Sequence, residues 1–293
     1  MLIDANTKVI VQGITGRDGS FHTGQMLAYG TKVVGGVTPG KGGQTVHDLP
    51  VFNSVPEAVS ETGAEVSVMY VPGRFARDAM LDAAEAPLKL LVVITDGIPT
   101  LDMLEAYETL GSKGIRIIGP NSPGIIKPGQ CKVGIMPARI HTPGSIGVVS
   151  RSGTLTYEIV HVLTEAGMGQ SFCAGIGGDA VIGTTFTDIL PLFEQDPNTE
   201  AVVLVGEIGG QDEVEAARYC RRNMSKPLVG FMAGLTAPPN RQMGHAGAIL
   251  EGENDTVAAK IERMEYHGIP VARLISDVVP LLRGMLQPSE APQ

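Results

Sequence analysis

Two residues carry most of the chemistry that this sequence could perform. His245 sits in "QMGHAGAILEG" (242–252) as a lone ring among glycines and alanines. A neutral imidazole is nucleophilic near pH 7, can take a phosphoryl group on a ring nitrogen, and can pass it on because the phosphoramidate bond is high in energy. Flanking glycines would let the ring swing between a donor and an acceptor. Glu207, in "GEIGG", offers a carboxylate that could hold the other ring nitrogen in the productive tautomer. The plain alternative is a loop histidine with no chemistry, and these two residues by themselves leave both readings open.

Possible anion sites accompany them. In "GVVSRSGTLTYEIV", Ser150, Ser152, Gly153 and Thr154 lie between a strand-like run and a helix whose apolar side is Leu155, Ile159, Val160 and Leu163. Small hydroxyl residues at a helix start act as caps or as an anion cradle. "VVLVGEIGGQDEVEAA" repeats the device with Gly206, Glu207, Gly209 and Gly210. Two such helix starts at one sheet edge would make a site for a transferable phosphoryl group. Near the N-terminus, "VQGITGRDG" spaces Gly13, Gly16 and Gly19 three apart, which suits either a pyrophosphate-binding turn or an ordinary tight turn. A NAD enzyme would want an acid after its second strand, but Gly35, Gly36, Val37 and Thr38 stand there, followed by "PGKGG". Lys41 suits a ligand with an extra phosphate; its alternative is a solvated loop lysine. "GGVTPGKG" nearly spells a P-loop, yet Gly42 replaces the magnesium-binding Ser/Thr and no helix opens after it, so that motif is rejected.

The elements that must position these residues follow from the apolar runs. "KVIVQG" (8–13), "KVVGGV" (32–37), "VSVMYV" (66–71), "LLVVIT" (90–95) and "IRIIGP" (115–120) are continuous rather than alternating, as in parallel strands buried on both faces. Helices are expected near 21–30, 74–85 and 101–112, which makes βαβ units. A second series runs through 146–150, 201–207, 227–232 and 268–272. The Pro- and Gly-rich stretch 123–144 shows no clear period and reads as a connection. The expected fold is α/β with two doubly wound domains, over residues 1–122 and 145–293.

Composition bounds the function. A chain of 293 residues has room for about two domains. With 43% hydrophobic and 18% charged residues, and no apolar run near the roughly 20 residues of a membrane span, a soluble protein with no membrane association is expected. "MLIDANTKVIVQG" carries an early acid, Asp4, and does not read as a signal peptide. The formal charge of -9 argues against nucleic acid as a partner. Cys131, Cys173 and Cys220 are odd in number and widely spaced; no disulfide framework or metal site is expected, and a reducing cytoplasm or organelle matrix fits, with a cytoplasmic location expected. Thirty-eight glycines and 20 prolines, with 7 Phe, 6 Tyr and no Trp, mark a chain of tight turns that suits phosphate binding.

The motifs "TGRDGSFH", "YGTKVVGGVTPGKGG", "ITDGIPTLDM", "GPNSPGIIKPG", "SRSGTLTYE", "GIGGD", "GEIGG" and "MGHAGAI", in this order across nearly the whole chain, closely resemble the α subunits of succinyl-CoA synthetase, also called succinate-CoA ligase. The resemblance implies a Rossmann-like N-terminal domain that binds coenzyme A through Thr15, Gly16, Arg17, Asp18, Lys41, Ile94, Thr95 and Asp96. It implies a flavodoxin-like C-terminal domain in which His245 is the phosphohistidine, Glu207 supports it, Ser150, Ser152, Gly153 and Thr154 bind phosphate, and Tyr157 belongs with the acid substrate.

The implied reaction belongs to the tricarboxylic acid cycle. A nucleoside triphosphate phosphorylates His245, a dicarboxylate takes the phosphoryl group as an acyl phosphate, and the CoA thiol displaces phosphate. No ATP-grasp segment is found in the sequence, so the resemblance places ATP or GTP with Mg2+ mainly on a β subunit, in an αβ or α2β2 assembly. Departures from the family pattern fall at Asp96 (usually Glu), Ser122 (usually Cys), Ala138 and Arg139 (commonly Gly and His) and Ala180 (usually Pro). Ser122 is expected near the catalytic pocket, where a hydroxyl could favour malate or could instead satisfy itself on nearby backbone; succinate is the expected substrate, and a malate-CoA ligase is the nearest alternative. A non-catalytic CoA sensor is a second, disfavoured by the presence of both His245 and Glu207.

Overall fold

Strands built from continuous β-branched runs can be satisfied only where both faces are covered, and such runs assemble two helix-covered sheets here. The structure, a computed structural model, describes residues 1–235, 245, 247 and 256–286. It divides into one unit of Leu2–Ala138 with Gly175–Thr184 and another of Arg139–Ala174 with Thr185–Gln293.

The first unit contains β1 (Lys8–Gln12), α1 (Arg17–Ala28), β2 (Lys32–Val37), β3 (Thr45–Val46), β4 (Leu49–Phe52), α2 (Val55–Thr62), β5 (Val66–Met69), α3 (Gly73–Ala84), β6 (Leu90–Val93), α4 (Thr100–Ser112), β7 (Arg116–Ile118), β8 (Gly124–Lys127) and β9 (Cys131–Gly134). Its main sheet runs β3-β4-β2-β1-β5-β6-β7, with β3 antiparallel at the edge. The parallel strands thus follow the 3-2-1-4-5-6 order of dinucleotide-binding folds. β1 pairs with both β2 and β5, so the strand order reverses there and a crevice opens beyond their carboxyl ends. All four residues of β5 and of β6 are buried, including Ser67, whose hydroxyl accepts from the Gln12 side-chain amide (2.9 Å).

In the second unit lie β10 (Pro143–Ser150), α5 (Gly153–Glu165), β11 (Gln170–Gly175), α6 (Phe186–Gln195), β12 (Ala201–Gly206), α7 (Asp212–Asn223), β13 (Leu228–Met232), α8 (Val257–Tyr266), β14 (Val271–Ala272) and α9 (Val278–Leu286). The strand order β14-β13-β12-β10-β11 reads from the other edge as 2-1-3-4-5, the flavodoxin-like arrangement. β10 and β12 are parallel neighbours with Ser150 opposite Val205. The loops that follow them, at 151–152 and 207–211, therefore leave the same sheet edge side by side.

Three expectations need correction. α1 begins at Arg17, four residues before the expected start, because Gly19 hides the first turn from a propensity reading. Residues 123–144 are no bare connection: they hold the antiparallel pair β8 and β9, with Gly124 opposite Gly134. A Cβ at Gly124 would strike the Val133 carbonyl oxygen, so the close approach demands the very residue that erases the strand signal. α2 has no counterpart among the expected helices, although it and α6 both carry capping signatures. Ser54 accepts from the Glu57 N–H (3.3 Å), and Thr185 N–H donates to Asp188 (2.8 Å).

Candidate active site

A cavity of about 1080 Å³ occupies the crevice of the first unit, lined by the β1–α1 turn, the ends of β2 and β5, and one side of α3. Gly13, at φ +81, makes the turn. A Cβ on Gly19 would collide with the Gly13 carbonyl oxygen, so α1 packs on the turn only because that position has no side chain. The N-cap, Gly16, offers no side-chain acceptor, and the first N–H groups of α1 therefore face the crevice ready for an anion. Thr15 bonds Thr38 across the two loops (3.1 Å). Arg17 and Asp18 pair at 3.0 Å but are largely exposed, an arrangement worth little to stability and free to rearrange around a ligand. Burial pushes the Asp82 carboxyl on the cavity wall above its ordinary value, against the N–H of Val55 that hydrogen-bonds it.

Four expected coenzyme residues do not line this cavity. Lys41 is exposed in the turn after Pro39, with its N–H on the Thr38 carbonyl (3.1 Å). The N–H groups of Gly40 and Gly42 both donate to Asn53 (3.0 Å each), so the turn closes on its own asparagine and is not a phosphate cradle. Thr95 stands behind the wall, its hydroxyl donating to the carbonyl of the lining residue Val71 (2.6 Å). Ile94 is half-buried and Asp96 exposed beside it.

In the second unit, Glu207 Oε2 lies 2.6 Å from His245 Nδ1. Its other oxygen lies 3.4 Å from Arg151 Nε, and Arg151 Nη1 lies 3.0 Å from Asp212. Glu207 and Arg151 are each 6% exposed, so the guanidinium supplies the partner that a buried carboxylate needs. A carboxylate at Nδ1 keeps the proton on that nitrogen and leaves Nε2 with a lone pair. Gly244 and Ala246, on either side of His245, lie outside the described residues. The ring is 23% exposed, open enough to meet a second molecule.

The "SRSGT" loop caps its helix. Ser152 is the N-cap of α5, accepting from the Leu155 N–H (3.4 Å). Ser150 donates to the Ser152 carbonyl and accepts its N–H, which fixes the loop. Gly153 and Thr154 occupy the first two helical positions, whose N–H groups lack intrahelical acceptors. Tyr157 is half-buried one turn on, and burial pushes its hydroxyl up to about 12; it stays a donor at neutral pH.

Ser122 satisfies itself on nearby backbone, the alternative to a substrate contact. It is 3% exposed, donates to the Gly175 carbonyl (2.6 Å) and accepts from the Gly124 N–H (2.9 Å). Backbone groups thus claim both the proton and a lone pair. Sequence reasoning also missed Arg151, Asp212, Glu213 and Lys260. The last two left a visible signal, charged residues on faces of α7 and α8 that are otherwise apolar. Among the described residues no cluster of His, Cys, Asp and Glu could hold a metal ion, and no helix is long and apolar enough to cross a membrane.

Comparison with known proteins agrees with this geometry. Residues 4–97 match the CoA binding domain family and residues 149–269 the CoA-ligase family. The α subunit of an ADP-forming succinate–CoA ligase from Staphylococcus aureus is 55% identical over 278 residues, 95% of this chain and 92% of that one. Its counterpart from Staphylococcus epidermidis is 54% identical over the same shares. Among solved structures, an ATP citrate lyase from Methanothrix soehngenii in complex with citrate and coenzyme A superposes with a TM-score of 0.86 at 24% identity. It covers all of this chain, which spans about half (53%) of the lyase; the likeness is one of fold. The chain belongs to the family of succinate–CoA ligase α subunits.

Proposed function

We propose that the chain is the histidine-bearing subunit of an ADP-forming succinate–CoA ligase, working with a β subunit of the ATP-grasp type. The observation that carries this reading is the contact between His245 Nδ1 and Glu207 at 2.6 Å, with Arg151 behind the carboxylate. Held so, Nε2 attacks the terminal phosphoryl group of ATP and the nucleoside diphosphate leaves. The phosphoryl group passes from Nε2 to a carboxylate oxygen of succinate, and the CoA thiol then attacks the acyl phosphate, releasing phosphate and forming the thioester. The helix starts at Gly153 and Asp212 flank the loops that carry Ser152 and Glu207, which suits a phosphoryl group in transit.

Coenzyme A suits the first unit: an uncapped helix start for its phosphates, a cavity of about 1080 Å³ for its nucleotide, and Lys41 nearby for the extra phosphate. On this reading residues 1–122 hold the coenzyme and residues 145–293 carry the phosphoryl relay. ATP and Mg2+ are assigned to the β subunit, in an αβ or α2β2 assembly. Three buried free thiols, Cys131, Cys173 and Cys220, suit a reducing cytoplasm.

The test is to co-express the chain with its β subunit and supply γ-labelled ATP. Acid-labile, base-stable label should appear on this chain and vanish in His245→Asn. Label that persists in that variant would overturn the reading. Steady-state kcat/KM for succinate and malate identifies the acid; a tenfold preference for malate would make the enzyme a malate-CoA ligase.

A further inference from the structure

Lys260 stands in the apolar stripe formed by Val257, Ile261 and Met264 of α8, with none of its side chain exposed. Its ammonium has three protons to donate, and three acceptors receive them: the Glu207 carbonyl (2.7 Å), the Gly209 carbonyl (2.5 Å) and Glu213 Oε2 (2.6 Å). Glu213 is also fully buried, and its Oε1 accepts the N–H of Glu207 (3.1 Å). Both backbone groups of Glu207 therefore end on one buried ion pair. The neighbouring Gly206 is shaped by the same contact, since a Cβ there would strike the side chain of Glu213.

Burying two charges carries a desolvation cost that an apolar pair of the same volume would avoid, so stability alone gives little reason for the pair. The loop it holds is otherwise pliable: Gly209 and Gly210 both lie at positive φ, +81 and +62. Rotation of the Glu207 peptide planes would swing its carboxylate away from the ring. We propose that Lys260 and Glu213 are positioning residues, whose ion pair fixes the backbone of Glu207 and so aims its carboxylate at His245 Nδ1. This rests on the reading of His245 as the phosphoryl acceptor.

The double variant Lys260→Met/Glu213→Met removes both charges while filling the space, and serves as the test within the complete α–β complex. It should fold and bind CoA unchanged, with a melting temperature lowered because the Glu207 N–H and the Glu207 and Gly209 carbonyls lose their partners. It should take label from γ-labelled ATP about 100-fold more slowly, the scale of a misplacement near 1 Å. Its His245 ring nitrogens, followed by 15N NMR, should move from the Nδ1–H toward the Nε2–H tautomer. An unchanged labelling rate with an unchanged tautomer would overturn the proposal and leave the pair a structural element. Should the double variant fail to fold, Glu213→Gln keeps the shape and is read the same way: a shifted tautomer supports positioning, an unshifted one overturns it. An unmodified complex that takes no label would sink the phosphohistidine reading instead, while the tautomer comparison still decides whether the pair aims Glu207.

Discussion

On the proposed reading Glu207 acts on His245 through charge and direction, and the two can be separated. In Glu207→Gln the shape persists, but the amide can donate to Nδ1 and so favour the tautomer whose Nε2 is blocked. Phosphoryl uptake should fall at least about 100-fold, as when the wrong tautomer is stabilised in other histidine sites, with CoA affinity unaltered. Single-turnover labelling checks this; a full rate would reduce Glu207 to a loop carboxylate. Ser122 leads the other way. Because its hydroxyl is committed to Gly175 and Gly124, Ser122→Cys should lower stability by about 1 kcal/mol and change the succinate-to-malate ratio of kcat/KM by less than about twofold, since only a group that touches the substrate discriminates strongly. A tenfold change in that ratio would return Ser122 to the substrate.

At the level of elements, α1 joins the coenzyme crevice to the sheet. Gly19→Ala places a methyl group against the Gly13 carbonyl, so the helix start must shift. Stability should drop by about 1 to 3 kcal/mol and CoA should bind at least about tenfold more weakly, measured by calorimetry; unchanged affinity would show that the helix start does not hold the coenzyme. The same helix carries His22, stacked on Tyr70 with ring centroids 5.5 Å apart. Burial, and next the charge of Lys132, hold His22 below its ordinary value of 6.5, against a smaller opposite pull from Asp18. The unfolded chain then binds a proton at higher pH than the folded one, so stability present above pH 6.5 is lost progressively as pH falls below it. His22→Gln should flatten that arm in urea midpoints compared between pH 7.5 and 5.5.

On the scale of the molecule, the proposed reading puts coenzyme recognition and the phosphoryl relay in different units, and variants should divide along that line. Lys41→Ala should weaken CoA more than dephospho-CoA, by about 1.5 to 3 kcal/mol if the ammonium meets the extra phosphate, and leave labelling of His245 unchanged. His245→Asn should do the reverse. Equal weakening of the two coenzyme forms would move Lys41 to the pyrophosphate or away from the ligand altogether.

Local patterns in the chain determined the α/β class and the two doubly wound halves, and they singled out His245, Glu207 and the helix-start serines as candidates whose roles only the family resemblance implied. Unbroken apolar runs, glycine spacing and a lone imidazole are all features of neighbours in sequence. Expectations failed where the signal lies in contacts between distant segments. Gly124 and Gly134 form strands because two backbones must touch, and glycine carries no strand propensity to announce it. Ser122 gives its proton to Gly175, 53 residues away, a partner that no local pattern announces. Lys260 finds Glu207 and Glu213 across 53 and 47 residues, and Arg151 finds Asp212 across 61. Which buried charges meet was decided only when the sheet brought α5, α7 and α8 to one edge, because a charge is stable in the interior only beside its partner, and no local pattern specifies a partner that far along the chain.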